Sequence, residues 1–205
     1  MTSAGEALDR LREGNRRFVS STRTSEALLS RSAPVELGME QRPFAIILGC
    51  SDARVPAEMV FDQGLGDLFV IRVAGNIVAP SQVGSVEFAA SRFGTRLVVV
   101  LGHSECGAVL ATVEELQRPA ENQSPNLRSI VERVRPSVEG LMQTELRHDM
   151  DALVRQAVRA NVSAAVNHLR HGSAVLEQLA GSEGLRVVGA EYSLETGVVD
   201  FFDGV

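Results

Sequence analysis

The sequence predicts an α/β fold. It consists of a mostly parallel four-stranded sheet with an added edge strand, helices on both faces, and an N-terminal helical arm. Three observations lead there. Two short apolar runs rich in Val, Ile and Leu, 44–49 and 97–102, each close on a glycine and read as buried strands. Strand-like runs alternate with helical patterns along most of the chain, the signature of a parallel sheet covered by helices. Directly after the two glycine-ended runs stand Cys50-Ser51-Asp52-Ala53-Arg54 and His103-Ser104-Glu105-Cys106. Polar, reactive side chains so placed belong to the carboxyl edge of an open sheet, where ligands bind.

The elements follow in order. Residues 3–20 form a helix with Ala7, Leu8, Leu11 and Phe18 near one face. It precedes the first strand by a long polar stretch, 22–42, broken by Pro34 and Gly38, so it is expected to be an arm covering its own domain or a neighbouring subunit. The chain therefore divides into an arm and linker over 1–42 and an α/β domain over 43–205. Strand one spans 44–49. Pro56 opens a short helix over 57–62. Strand two spans 68–74, with Arg72 turned to a polar edge. A helix over 81–93 is capped by Ser81 and ended by Gly94. Strand three is 97–102, followed by a helix over 108–116 and a loop over 119–125. Ser124-Pro125 starts a helix over 126–134 that Pro136 breaks or kinks. A long helix over 146–170 carries an apolar stripe that includes Asn161. A shorter helix covers 174–179, strand four 185–192 and strand five 197–202, with Thr196-Gly197 as the turn between the last two.

Composition narrows the function. The chain has 205 residues, is 44% hydrophobic and carries a net charge of −6, which suits a domain with a real core and argues against a nucleic-acid surface. All 20 basic residues are Arg, so Schiff-base chemistry and the P-loop lysine are excluded. No basic-then-apolar segment opens the chain and no apolar run is long enough for a bilayer, so a cytoplasmic protein without a membrane partner is expected. In a reducing compartment two cysteines point to metal binding or catalysis rather than to a disulfide.

Cys50, His103 and Cys106 are a three-ligand zinc set with a fourth position free, the pattern of a catalytic site. Thiolate and imidazole select zinc over magnesium or calcium. The plainer alternatives are thiols that serve as small hydrophobes, or a Cys50–Cys106 disulfide. Asp52 and Arg54 sit two and four residues beyond Cys50, on the same side of an extended loop. Asp52 can close the metal site as fourth ligand, or pair with Arg54 and leave the position to water. The stretch 102–106 fails as a serine nucleophile elbow because Cys106 stands where glycine is required. Gly64-Leu65-Gly66 fails as a dinucleotide fingerprint, and His168 with His171 reads as a solvated helix pair.

Taken together, 11–19, 49–55, 67–76, 102–109, 189–192 and 196–197 resemble the bacterial β-class carbonic anhydrases. The resemblance implies reversible hydration of carbon dioxide to bicarbonate and a proton by a zinc lyase. Zn2+ would be held by Cys50, His103 and Cys106, with Asp52 and Arg54 as a gating dyad and Asp52 on the metal in a closed state. It places Gly102 and Phe88 at the substrate pocket. It also implies a homodimer or homotetramer whose N-terminal arm packs on the partner. Two departures stand out. Ile47 occupies the position of a Trp that some members use in a non-catalytic bicarbonate pocket, and Gln63 lies one position from a bicarbonate-holding Gln. A related hydrolase of carbon disulfide or carbonyl sulfide, and a closed non-catalytic zinc site, are the competing functions.

Overall fold

Strands buried on both faces belong in the middle of a sheet. In the computed structural model, which describes residues 2–20, 41–118 and 124–205, strands β1 (Ala45–Gly49) and β3 (Leu97–His103) are buried at every residue. They lie side by side in a five-stranded sheet of order β2-β1-β3-β4-β5, with β2 at Leu68–Arg72, β4 at Arg186–Tyr192 and β5 at Val199–Asp203. The first four strands are parallel, and β5 runs antiparallel to β4. From β1 the chain moves to one side of the sheet and from β3 to the other, so a crevice opens where the two diverge. Gly49 is level with Leu101, which brings the residues after β1 beside the end of β3.

The helices are α1 (Ala4–Val19), α2 (Ala57–Val60), α3 (Pro80–Arg92), α4 (Gly107–Gln117), α5 (Pro125–Glu139), α6 (Met150–His171) and α7 (Ala174–Glu183). Alternation along the strands sorts the core into two layers. Ala45, Ile47, Val99 and Leu101 pack with α1 and α2, whereas Ile46, Leu48, Val98 and Val100 pack with α3, α6 and α7. A third apolar cluster, from α4, α5 and α6, surrounds Cys50 and Cys106. Among the described residues no helix is long and apolar enough to cross a membrane.

Helix α1 packs on its own domain. Ser3 and Glu6 form a reciprocal capping box, and Ala4, Ala7, Leu8 and Leu11 are buried in the same cluster as β1 and β3. Gly14 packs so close that a Cβ would sit 1.8 Å from the Phe61 carbonyl oxygen, an overpacking expected to cost about 1–3 kcal/mol. Next to it, the buried Asn15 amide donates to the carbonyls of Val60 and Gly197 and accepts from the Val199 N–H. The helix thus buries its apolar stripe on its own chain. Its buried residues share one core with the domain expected to begin at 43. The intervening stretch 21–40, and 119–123 of a later loop, lie outside the described residues.

Other differences are local. Helix α3 starts at Pro80 with Ala79 at its cap, because proline fits the first turn, so Ser81 is inside the helix. Pro136 lies within α5 without ending it, since the helix runs on to Glu139. Residues 145–148 form a separate 3₁₀ turn, and Asp149 then caps α6 by accepting the Ala152 N–H. Strand β2 ends at Arg72 because Gly75 and Asn76 take positive φ, 68° and 43°, which turns the chain back toward the end of β1. Helix α7 runs on to Glu183 and ends at the left-handed Gly184.

Candidate active site

Cys50 leaves the carboxyl end of β1, and His103 is the last residue of β3. The turn after His103 is tied to β4: the Ser104 N–H donates to the Tyr192 carbonyl (3.0 Å) and its hydroxyl accepts the Leu194 N–H (2.9 Å). Glu105, at φ 56°, reverses the chain, and Cys106 returns as the N-cap of α4. Three ligand atoms, two sulfurs and an imidazole nitrogen, converge within 4.8 Å of one another, and all three residues are buried. No other such group of three or more occurs among the described residues. Both cysteines are buried free thiols, with no disulfide between them.

The donor set fits a metal ion. His103 is 0% exposed, and its Nδ1 is 2.8 Å from the Ser104 carbonyl oxygen. A carbonyl can only accept, so Nδ1 carries a proton, and in the neutral ring Nε2 presents a lone pair. That Nε2 is buried and has no hydrogen-bond partner. An orphaned buried nitrogen is costly unless it ligates. Cys50 Sγ accepts the Gly75 N–H at 3.4 Å.

Proximity splits the two thiols. The hydrogen bond from Cys106 is the main cause that draws Cys50 down to about 4, against its burial. Cys106 is pushed up, first by that shared hydrogen bond and then by burial. Burial pushes His103 down, but the adjacent Cys50 sulfur, the Ser104 carbonyl and the nearby negative charges raise it on balance. The two sulfurs lie too close for both to ionise freely, so without a metal the pair favours one thiolate beside one protonated thiol. A metal that takes both sulfurs displaces that proton, so affinity rises with pH. Calorimetric titration of the metal-free protein in buffers of differing ionisation enthalpy is expected to show proton release at neutral pH. Proton-neutral binding would contradict this.

Asp52 faces Arg54. Its Oδ1 accepts from the Arg54 backbone N–H (2.9 Å) and Nε (3.0 Å), and its Oδ2 accepts from Nη2 (2.8 Å). The Arg54 side chain is the first cause holding this carboxyl well below the usual carboxylate range. Asp52 Oδ2 also lies 3.8 Å from His103 Nε2, at the edge of the cluster.

The family model described as carbonic anhydrase matches residues 45–199. Carbonic anhydrase 2 of Mycobacterium tuberculosis is 38% identical over 195 residues, which cover 91% of this chain and 87% of that protein. The carbonic anhydrase of Mycolicibacterium smegmatis is 38% identical over 192 residues, covering 93% and 89%. The chain belongs to the β-class carbonic anhydrases. Its fold agrees with solved β-carbonic anhydrases. One from Aspergillus fumigatus superposes with TM-score 0.74 at 24% identity, covering 98% of this chain and 91% of that one. A tetrameric one from Sordaria macrospora gives 0.69 at 22%, covering 80% and 82%. Family membership makes the protein a lyase of the carbon dioxide hydration class.

Other residues that the sequence suggested for the pocket of this carbonic anhydrase are held by contacts within the chain. Phe88 packs against Phe69 and Phe93, beside the amino-terminal half of the sheet. It belongs to the chain's opposite edge because Phe69 pairs with Ile46, near the start of β1. Gly102 is covered by α6: a Cβ there would meet Val162 Cγ2 at 2.5 Å, so its smallness serves helix packing. Gln63 is buried, with its amide donating to the Phe61 carbonyl and accepting from Arg10 Nε, so it is occupied beneath α1. Ile47 is fully buried in the α1–α2 layer. His168 and His171 are both exposed.

Two residues gain significance. Arg72, read as a polar edge, donates from Nε to the Cys50 carbonyl (3.0 Å) and from Nη2 to the Asp52 carbonyl. Asn161, read as part of an apolar stripe, donates to the Gly75 carbonyl (2.8 Å) and so anchors the residue whose N–H meets Cys50. An Arg ending an apolar strand, and an Asn at a core position, were the available signals.

Proposed function

We propose that this chain catalyses the reversible hydration of carbon dioxide to bicarbonate and a proton. In this reading Cys50, His103 and Cys106 hold zinc, and the Asp52–Arg54 pair governs its fourth position. The observation that supports it is the convergence of three buried ligand atoms while the nearest carboxylate is turned to Arg54. When bound there, zinc supplies a Lewis acid and lowers the pKa of water.

The remaining work falls to the chain. Arg54 grips Asp52 through three hydrogen bonds, so the carboxylate stays ionised and directed away from the ligand set. As an ionised acceptor it can orient a water molecule that approaches the cluster. Val109, Val158 and Ile77 belong to the apolar cluster that includes Cys50 and Cys106, a setting that suits a small apolar substrate and limits stray water. Arg54 and Glu105 are exposed beside this site and give bicarbonate and the proton a polar way out. The bidentate Asp52–Arg54 geometry favours this gated site over a closed site with four protein ligands.

A homodimer or homotetramer is part of the same reading. Edge strand β2 leaves Leu68, Phe69, Val70 and Ile71 only half-buried. A cytoplasmic setting accords with two free, adjacent thiols. The test is stopped-flow carbon dioxide hydration by the zinc-loaded, chelator-stripped and zinc-restored protein. Activity is expected to follow zinc content. Full activity in the stripped protein would overturn the proposal.

A further inference from the structure

The loop that carries Asp52 is held from two sides, and only one of them is the Asp52–Arg54 pair. From the end of β2, the Arg72 guanidinium reaches under the loop and donates to the backbone carbonyls of both Cys50 and Asp52. A planar fork of donors suits two carbonyls in one plane, and a lysine could not reproduce it. The same Asp52 carbonyl accepts the Val55 N–H, so the peptide after Asp52 is fixed on both sides. With that peptide pinned, the carboxylate can move only by rotating about its side-chain bonds. It already lies 3.8 Å from His103 Nε2, so a small inward shift of the loop would bring it onto a metal held by the ligand set.

We infer that Arg72 is a positioning residue: by clamping the Cys50 and Asp52 carbonyls it keeps Asp52 on Arg54 and the fourth metal position open. The inference rests on the gated-metal reading above and adds to it the group that sets the gate. Loss of the clamp lets the loop relax toward the cluster, and Asp52 then competes for the position that an exogenous ligand would take.

The probe is azide, titrated by visible spectroscopy into the full-length cobalt(II)-substituted protein. If Arg72→Ala reduces the open population to about a tenth, azide binding weakens about tenfold. Because the effect runs through the Asp52 carboxylate, Arg72→Ala added to Asp52→Asn should leave azide affinity at the value of Asp52→Asn alone. Arg72→Lys, which keeps the charge without the fork, should weaken binding in the same direction, and it serves if the alanine variant does not fold. Unchanged azide affinity in the Arg72 variants would overturn the inference. Equal weakening in the Asp52→Asn background would do so too, since it would mark general loosening of the loop. In either case the metal reading survives. Failure of the unsubstituted chain to take up cobalt would overturn both.

Discussion

His103→Ala is expected to remove bound zinc and to bring carbon dioxide hydration down to the uncatalysed background. The imidazole supplies the single nitrogen of the ligand set, and its Nε2 is buried with nothing else to bind. Two thiols left without it form an incomplete set, and the buried pair returns to sharing a proton. The ring is 0% exposed, so the substitution also leaves a cavity, with a destabilisation of about 2–5 kcal/mol by analogy with other large-to-small core changes. Cys106→Ser removes a ligand without much change in volume and separates loss of metal from loss of packing. Metal analysis and hydration rate on the folded variants check both. Stoichiometric zinc with an unchanged rate in either variant would contradict the ligand assignment.

Asp52→Asn is expected to keep zinc and lose about a hundredfold in hydration rate, the scale of effect that misplacing a reacting group produces. The amide keeps the shape of the side chain but replaces one carboxylate oxygen with a donor. Arg54 offers only donors, so the three-bond grip on Oδ1 and Oδ2 cannot be maintained. The same substitution discriminates against the closed site. There Asp52 would be a structural ligand, and its loss would weaken zinc retention. Zinc content and hydration rate measured on one sample give the answer. Retained zinc with reduced rate supports the gate, whereas lost zinc supports the closed site.

What the sequence made legible was governed by period and by clustering. The apolar runs that became β1 and β3 carry no polar interruption, so their burial and central place could be read directly. Cys50 and His103 stand at the ends of those runs, so strand pairing brings them together, and the turn at Glu105 returns Cys106 to them. Long-range docking was not legible. Nothing local in 4–19 distinguishes a helix that covers its own sheet from one that covers a neighbour; Gly14 and Asn15 decide it only once Phe61, Val60 and Gly197 are in place. For a related reason the place of Phe88 within the chain was not legible, since position along its helix determines which edge of the sheet the side chain reaches. Arg72 and Asn161 act through backbone carbonyls, and a carbonyl partner leaves no mark in the sequence.

Zinc-edge X-ray absorption of the purified protein, with and without Asp52→Asn, tests the metal centre most directly. The expected result is one zinc with two sulfurs at about 2.3 Å, one imidazole nitrogen at about 2.0–2.1 Å and one further light ligand, unchanged by the substitution. A zinc shell lacking sulfur, or one that loses a ligand in Asp52→Asn, would contradict it.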